Sequence, residues 1–594
     1  MKRKKRIYEK ICILLSCLLV AAFCAGCGGP GEENMKISRI DLNQAHLTQG
    51  IWREKYEQND AYIRHLDAER LLYYYYYYAG LPIREGLTPY PDWESGDLHK
   101  GITMGHYVSA LSMLYRVTGE AWYAEKVAYC VDELAKCQRE DGLLFAQPAE
   151  RFDLLEDGAD IFRVGPPYYY IHKLLAGLID AYRYCGSEKA LETALKLSDW
   201  IYDRMSGLSR LKLENVLRTE YGGICEALYQ LYDLTENGHA LLAARLFHEE
   251  LYLNLWAKNE DNLYMLHANT TIPKAIGFAV AYRIEGEERY LQAAENFWEM
   301  VVSHRTYANG GNSRGEAFWE PDKIYEYCDE EEDHPSETCN IYNMLKLSQY
   351  LYEYTRNPKY LDYMETALCN GILGSLNEQG CKTYYQFLHR NAHKVFHALD
   401  GGFWCCTGTG MENFAKVLSQ CFYEREGGLD VLQFLSCELT TKEGIRLSIS
   451  AGDECATLRF LSGGKLDLRL RVPAWCEEST LEKNGQVLSA TAKDGFVRVS
   501  ATFAEGDEVR YRMKYPVRWE RTAADEPYYA IKYGPYLMCA IGSDAILTRA
   551  EFDSLGDLDF EGAQASVRLG EKTFRLKKYA EIVDETFTTY FEVV

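Results

Sequence analysis

A helical hairpin that repeats along the chain is the feature that most limits the fold. Between residue 60 and about residue 424, apolar helical segments alternate with polar turns near residues 119, 186, 237, 286 and 357, at intervals of about 50 to 70 residues. Such repeats are typical of stacked helical hairpins. Helical patterns at 62–79 and 411–424 would complete about six hairpins, which predicts an (α/α)6 barrel over residues 46–424. The period alone also fits an open superhelix.

After Gly427 the sequence changes to short segments in which polar and apolar residues alternate. Examples are "IRLSIS" and "KLDLRLRVP", and turn signals such as Asn484-Gly485 separate such segments. This pattern predicts one β-sandwich domain, or two small ones, over residues 425–594. Residues 28–45 are interpreted as a linker with a short strand, "MKISRIDL", which we expect to pair with the β-region.

The first 27 residues indicate export. A basic start, "MKRKKR", is followed by an apolar run that ends in "CAGC". This is the composition of a secretion signal. The ending resembles a bacterial lipobox with Cys27 as the lipidated residue, although Cys24 replaces the usual branched aliphatic residue. An uncleaved membrane anchor is the alternative. In both cases we expect the working domain outside the cytoplasmic membrane. With the lipobox, the protein is expected to be a cell-surface or periplasmic lipoprotein whose only membrane contact is the lipid anchor at Cys27.

Charge and cysteine usage narrow the class of protein further. The chain has 65 basic and 88 acidic residues, for a net charge of −23, and no basic cluster outside the signal. Nucleic acid is therefore not an expected partner. Of 19 cysteines, four lie in the signal and lipobox, and the other 15 have no regular spacing. The sequence predicts no disulfide framework, and most of these cysteines are expected to be buried as small apolar residues.

The stretch "GFWCCTGTGMEN" places two thiols side by side. Cys405 and Cys406 come before a helical pattern that begins at Met411. We expect Gly408 and Gly410 to give a loop there its conformational freedom. A thiol at the start of a helix has a lowered pKa, because the positive helix end favours the thiolate.

The stretch "HPSETCNIYNM" places two further donors at the start of another helix. Ser336 or Thr338 can cap this helix, and Glu337 and Cys339 then lie at its N-terminus. The two stretches together offer three thiols and one carboxylate, a four-ligand set that suits Zn²⁺. The residues alone leave three interpretations open, namely a catalytic zinc, a purely structural zinc and no metal.

Several stretches resemble the zinc-dependent β-L-arabinofuranosidases of glycoside hydrolase families 127 and 146, and the resemblance to family 146 is the closer one. It runs in order from about residue 60 to residue 540. The paired elements "ETCN" and "CCTGTGMEN" are its most specific motifs. The matching stretches are "GHYVSAL", "PYYYIHKLLAGLIDAY", "EYGGICEAL", "HANTTIPKAIG", "GEAF", "HPSETCNIYNMLKL", "FWCCTGTGMENFAK" and "RVPAWC".

The resemblance implies a retaining glycoside hydrolase whose nucleophile is a zinc-bound cysteine. By position this nucleophile is Cys405, and Glu337, Cys339 and Cys406 complete the zinc ligands. The glutamate of "GEAF", Glu316, takes the place of the general acid/base. A retaining mechanism needs such a group, because the leaving oxygen must be protonated and the incoming water deprotonated. We expect burial to help keep Glu316 protonated.

The resemblance also implies a substrate and residues that contact it. The substrate is an arabinose-containing oligo- or polysaccharide of plant origin, from which β-L-arabinofuranosyl residues are removed. The sugar-contacting positions of the family match His172, His267 and Tyr384.

Two other functions fit the same residues. One is a helical-barrel glycosidase that acts on another sugar, with a structural zinc and a carboxylate pair such as Glu316 and Glu320. The other is a lipoprotein that binds glycans without cleaving them.

The acidic run "DEEED" at 329–333 lies close to the zinc motif in sequence and could rim the pocket.

Overall fold

The computed structural model describes residues 36–323, 333–489, 491–522, 526–562 and 564–594. The signal, the lipobox, residues 28–35 of the linker and residues 329–332 of the acidic run lie outside the described residues, so export and lipid anchoring at Cys27 stay predictions. Among the described residues, no helix combines the length and the apolar character needed to cross a bilayer.

Helices dominate the chain up to Lys416. In chain order the α-helices are α1 (Ile51–His65), α2 (Ala68–Ala79), α3 (Thr103–Thr118), α4 (Ala121–Cys137), α5 (Glu150–Glu156), α6 (Ile161–Val164), α7 (Pro167–Cys185), α8 (Glu188–Ser206), α9 (Arg210–Leu217), α10 (Ile224–Thr235), α11 (Gly238–Leu246), α12 (Glu250–Ala257), α13 (Ala268–Glu285), α14 (Glu288–Val302), α15 (Thr338–Thr355), α16 (Lys359–Thr366) and α17 (Cys405–Lys416).

Six of these helices form a closed inner ring. Neighbours in the ring contact each other in the order α3, α7, α10, α13, α15 and α17, and α17 returns to α3. Five inner helices pack on the helix that follows them in sequence, whereas α17 packs on α1 from the other end of the barrel sequence. The closed ring confirms the (α/α)6 barrel and is incompatible with the open superhelix.

Burial separates the two layers of the barrel. Inner helix α3 is buried at every position from Thr103 to Leu114. Outer helix α14 is buried on one stripe, which contains Tyr290, Ala294, Phe297 and Val301. A helix with one apolar stripe can cover a core, whereas a helix that is buried on all sides must lie within one.

The rest of the chain is mainly β-structure. Its strands, with two from the N-terminal segment, are β1 (Ser38–Arg39), β2 (Ala45–Leu47), β3 (Phe422–Arg425), β4 (Gly428–Val431), β5 (Cys437–Thr440), β6 (Arg446–Ala451), β7 (Cys455–Phe460), β8 (Gly464–Arg471), β9 (Ser479–Lys483), β10 (Gln486–Leu488), β11 (Phe496–Phe503), β12 (Glu508–Met513), β13 (Val517–Arg521), β14 (Tyr528–Tyr533), β15 (Tyr536–Ile541), β16 (Ile546–Leu547), β17 (Asp559–Glu561), β18 (Gln564–Leu569), β19 (Lys572–Lys578), β20 (Phe587–Thr588) and β21 (Tyr590–Val593). A short helix, α18 (Arg549–Phe552), interrupts them.

The strands form three sheets. Two of them have the orders β1-β3-β4-β8-β11 and β10-β9-β12-β7-β6-β5-β2, and the third has the order β16-β21-β14-β15-β19-β18-β17, with β13 beside β14 and β20 beside β15. Ser38 pairs with Glu424 and Arg39 with Tyr423, so the N-terminal segment does join the β-region.

The third sheet supports the barrel next to a segment that carries predicted site residues. An apolar cluster joins Leu537 and Phe587 of this sheet to Tyr307 and Phe387 of the barrel loops. The Tyr579 hydroxyl donates a hydrogen bond to Gln386 Oε1 over 3.2 Å. The loop that contains Tyr384 is therefore held from the side of the C-terminal sheet.

Candidate active site

Two helix starts on neighbouring inner helices bring the four predicted donors together. Helix α15 begins at Thr338, and Glu337 is its N-cap residue without a capping hydrogen bond from the side chain. Helix α17 begins at Cys405 itself. The inner ring places α15 against α17. Glu337 therefore occupies the N-cap position predicted for Ser336 or Thr338. Its carboxylate does not cap the helix and can bind another group.

The predicted loop around the paired cysteines is wrong, because residues 405–410 are the first turns of α17. Gly408 and Gly410 lie inside this helix, where they make room for other side chains. A Cβ atom at Gly408 would overlap the imidazole ring of His106, and one at Gly410 would overlap the side chain of Lys382. Both glycines thus serve close packing, and the apolar pattern from Met411 marks only the second half of the helix.

The four donors form a compact buried cluster. Their ligand atoms lie within 4.8 Å of one another, and none of the four residues is more than 3% exposed. Cys405 Sγ lies 3.6 Å from Glu337 Oε1 and 3.8 Å from Cys406 Sγ. Cys406 Sγ lies 3.8 Å from the same carboxylate oxygen. In a tetrahedral site with metal–sulfur bonds of about 2.3 Å, the ligand atoms are about 3.6 to 3.8 Å apart. The cluster therefore has the dimensions of a tetrahedral metal site.

The four groups can ionise together only if a cation is present. Burial raises the pKa of Glu337 and of Cys406 well above their ordinary values, and hydrogen bonding to Cys339 raises the pKa of Cys405. Burial opposes ionisation of Cys339 as well, but the thiols of Cys405 and Cys406 outweigh it and lower its pKa to about 6. The protein alone therefore favours only one thiolate. Glu337 Oε2 is buried with no hydrogen-bond partner among the described residues. A bound metal ion would give this oxygen a partner.

Glu316 faces this cluster across a pocket, and its carboxylate accepts hydrogen bonds from two tyrosines. The Tyr384 hydroxyl donates to Glu316 Oε1, and the Tyr385 hydroxyl donates to the same oxygen over 2.9 Å. His267 Nε2 lies 3.4 Å from Glu316 Oε2. The backbone N–H of Ala268 donates to the Glu316 carbonyl over 2.7 Å, which ties the glutamate loop to the start of α13.

The expectation that burial keeps Glu316 protonated needs correction. Burial does act to raise its pKa, but the hydrogen bonds from His267, Tyr384 and Tyr385 outweigh burial and lower the pKa to about 2. Burial alone would lower the pKa of His267, but the contact with Glu316 raises it overall. In the free protein Glu316 is thus an anion near pH 7, next to a histidine whose pKa is raised.

A cavity of about 450 Å³ joins the two sets of groups. Its lining includes Cys405, Glu337, Glu316, His267 and Tyr384. The structure therefore brings together the predicted nucleophile, the predicted acid/base and two of the three predicted sugar contacts.

The third predicted sugar contact, His172, does not reach this pocket. It lines a separate cavity of about 160 Å³ in the barrel interior, where its Nδ1 accepts a hydrogen bond from the backbone N–H of Gly223 over 3.2 Å. His172 therefore does not line the pocket that contains Cys405, and its contact with a sugar stays a prediction. Glu320 is not part of the pocket lining either, and it pairs with Lys323 over 3.1 Å. The alternative carboxylate pair of Glu316 and Glu320 thus has no common pocket.

Other residues of the pocket were missed by the sequence analysis. Trp93, His99, Tyr169 and Glu220 line it as well. His99 stacks on Trp93 with ring centroids 4.1 Å apart, and burial lowers its pKa to about 4, so its imidazole is neutral near pH 7. Most of these residues lie in loops or directly before inner helices, where no periodic pattern marks them. Glu220 stands in the matched stretch "EYGGICEAL", which could have pointed to it.

Comparisons with known proteins agree with this arrangement. Residues 44–419 match the family profile for the catalytic domain of GH127 β-L-arabinofuranosidases, and residues 429–515 match the middle domain of the same family. The chain therefore belongs to the GH127 β-L-arabinofuranosidase family of glycoside hydrolases. The closer resemblance to family 146 stays a prediction.

Individual relatives support the fold over nearly the whole chain. A non-reducing end β-L-arabinofuranosidase of Bifidobacterium longum subsp. longum is 24% identical over 515 residues, which cover 72% of this chain and 75% of the relative. The solved structure of a GH127 β-arabinofuranosidase has a TM-score of 0.75 at 16% identity and covers 95% of this chain and 99% of its own. A GH127 β-L-arabinofuranosidase from Geobacillus stearothermophilus T6 has a TM-score of 0.71 at 17% identity, with 93% and 100% covered.

We expect the purified full-length protein to bind one divalent metal ion per chain, because only a cation lets all four donors ionise together. Cys339→Ala and Cys406→Ala should each lose most of this metal, as measured by plasma mass spectrometry after dialysis. Cys421→Ala is the matched control, since its buried thiol bonds to the Val417 carbonyl over 3.2 Å outside the cluster. Metal retained in both cluster variants, or lost from the control, would contradict the assignment.

Proposed function

We propose that this protein is a retaining β-L-arabinofuranosidase that removes terminal residues from plant-derived glycans, with Cys405 as nucleophile and Glu316 as acid/base. The observation that carries the proposal is that one pocket contains the Cys405 thiol at the donor cluster and the Glu316 carboxylate. Membership of the GH127 family and the non-reducing end activity named for the Bifidobacterium relative support the choice of sugar and of end.

The shape of the pocket favours removal of a terminal residue. Cys405 and Glu337 of its lining are buried, whereas Phe162 and Arg218 of its lining are largely exposed. We infer that the cleaved sugar enters as a chain end toward the buried thiol and that the rest of the glycan extends toward Phe162 and Arg218.

Zinc is the metal that the donor set fits best. Three thiolates and one carboxylate in tetrahedral arrangement are donors that Zn²⁺ prefers, and Mg²⁺ and Ca²⁺ instead require mostly oxygen ligands. The ligands would be Glu337, Cys339, Cys405 and Cys406. When bound, zinc keeps these thiols deprotonated at neutral pH and stabilises the sulfur of Cys405 as a leaving group.

The reaction then needs two displacements at the anomeric carbon. In the first, Cys405 Sγ forms a bond to this carbon while the bond from the carbon to the leaving oxygen breaks, and Glu316 gives that oxygen a proton. In the second, a water oxygen attacks the same carbon, the carbon–sulfur bond breaks, and Glu316 takes a proton from the water. Two inversions give overall retention.

The neighbours of Glu316 define how it obtains its proton. Since its pKa is lowered to about 2 by its donors, it must gain a proton before the first displacement. His267 lies 3.4 Å away and is the adjacent group whose pKa is raised. We infer that His267 and Glu316 share one proton, which passes to the leaving oxygen once the substrate is bound.

Hydrolysis of an aryl β-L-arabinofuranoside by the zinc-loaded full-length protein tests the proposal directly. We expect turnover of this substrate but not of other aryl glycosides, and we expect Cys405→Ser to reduce it at least about a thousandfold, because a serine hydroxyl is a far weaker nucleophile at neutral pH. Cys421→Ser should retain activity. No turnover by the wild-type protein would refute the sugar, and full activity of Cys405→Ser would refute the nucleophile.

Glu316→Gln tests the acid role separately. A glutamine cannot protonate the leaving oxygen, so a disaccharide or alkyl arabinofuranoside, whose leaving oxygen needs a proton, should be cleaved about 10²- to 10⁴-fold more slowly. An activated nitrophenyl arabinofuranoside should lose much less in its first displacement, which pre-steady-state release of nitrophenol measures. Equal losses of that step on both substrates would remove Glu316 from the acid role.

Tyr385→Phe tests the hydrogen bonds that hold Glu316. Loss of this donor disfavours the carboxylate, so the pKa of Glu316 rises and its acid form persists to higher pH. We therefore expect the basic limb of the kcat/KM profile to move upward by about one pH unit or less. Tyr56→Phe is a suitable control, because the Tyr56 hydroxyl is buried without a hydrogen-bond partner in the described part of the chain. A basic limb that stays in place or moves downward would contradict this account.

A further inference from the structure

One aromatic side chain at the pocket is exposed to an unusual degree. The phenyl ring of Phe162 is 85% exposed, the highest exposure among the large hydrophobic residues that the structure describes. It also lines the pocket that contains Cys405 and Glu316. A single exposed apolar residue needs no explanation by itself, but an aromatic ring in the lining of a pocket that also holds a thiol and a carboxylate is placed to contact a ligand.

The backbone under Phe162 is held in place. Phe162 belongs to the short helix α6, and its N–H donates to the Asp160 side chain over 2.9 Å. Arg151 Nη1 donates to the Val164 carbonyl over 3.2 Å. After the helix, Gly165 has φ +67°, and a Cβ atom there would lie only 2.8 Å from the Leu98 carbonyl oxygen. The ring therefore stands on an anchored segment, and its exposure is a feature of the fold.

The location of Phe162 defines which part of a substrate it can reach. The thiol end of the pocket is buried, so the sugar that is cleaved lies there, and the leaving group extends toward the exposed end. The lining beside Phe162 in sequence is also apolar, since Ile161 and Pro166 belong to it. Arg218, with 69% of its side chain exposed, adds one polar group to this end.

We propose that Phe162 is a binding platform for the sugar unit next to the residue that is cleaved, a proposal that rests on the proposed function. A sugar ring carries hydroxyls at its edge and C–H groups on its faces, so one face can pack on a phenyl ring while the hydroxyls stay hydrated or meet Arg218. Phe162 thereby makes the enzyme selective for leaving groups that are sugar rings over small alcohols.

The test compares two substrates that share the cleaved sugar. One is methyl β-L-arabinofuranoside, whose leaving group is too small to reach the platform, and the other is a disaccharide in which the same sugar is linked to a second sugar. For Phe162→Ala in the zinc-loaded full-length protein, we expect kcat/KM on the disaccharide to fall about tenfold and kcat/KM on the methyl glycoside to change less than about twofold. Phe162→Tyr should behave as the wild type, since it keeps the ring.

Tyr77→Ala is the matched control, because Tyr77 is an aromatic residue that is 57% exposed and does not line the pocket. If the wild-type protein cleaves both substrates, two results for Phe162→Ala would overturn the platform and leave the proposed function intact. One is an equal loss of kcat/KM on both substrates, and the other is an unchanged kcat/KM on the disaccharide. A wild-type protein that cleaves neither substrate would overturn the proposed function, and the platform with it.

Discussion

The site depends on one electrostatic requirement, the confinement of four acidic side chains in a small buried volume. Glu337, Cys339, Cys405 and Cys406 have ligand atoms within 4.8 Å of one another, and water does not reach them to solvate their charge. Buried anions are costly without an opposing charge. The N-terminal ends of α15 and α17 supply partial positive charge, but two helix ends would not balance four anions, so without a cation the cluster favours only one thiolate. The helix starts, the inner ring and the glycines of α17 make sense as the scaffold of a cation site.

A buried hydrogen-bond network below the cluster fixes the position of α17. Glu412, two turns into this helix, lies 2.6 Å from His106 Nδ1 of α3 and accepts a hydrogen bond from the Tyr342 hydroxyl of α15 over 2.5 Å. The same carboxylate pairs with Lys416 over 3.3 Å. Because His106 packs directly on Gly408, a shift of α17 along its axis would disrupt both the packing and the network. Cys405 and Cys406 lie about one turn before Gly408 on the same helix. The contacts that fix α17 therefore also fix the position of these thiols relative to Glu337.

The sequence was sufficient for the barrel and for the cluster of four donors, but not for the details around them. Amphipathic periodicity predicted five hairpins, but it missed the outer helix α1, because the predicted pattern for the first helix covered 62–79 and α1 ends at His65. The donors stand in short motifs at helix starts, so Cys405 and Glu337 could be located. Periodicity failed at Gly408, because small residues that admit a neighbouring side chain look like loop residues in a linear sequence. His172 lies one turn after Tyr169 on α7. Tyr169 lines both cavities, whereas His172 lines only the inner one, and no sequence pattern distinguishes the two. The hydrogen bonds that ionise Glu316 come from residues far away in the chain, which no local pattern reveals.

The contact between α1 and α17 has a consequence for how the protein is made. These are the first and last helices of the barrel, and α17 completes the barrel by packing on α1 in the outer layer and on α3 in the inner ring. During synthesis, Glu337 and Cys339 are made before Cys405 and Cys406. Helix α1 is made before all four of these residues. Until the chain has emerged as far as Lys416, the growing barrel has an open side with apolar helix faces and an incomplete set of ligands. The four donors therefore come together only when the ring closes, so a metal ion that needs all four could be held only at that last step.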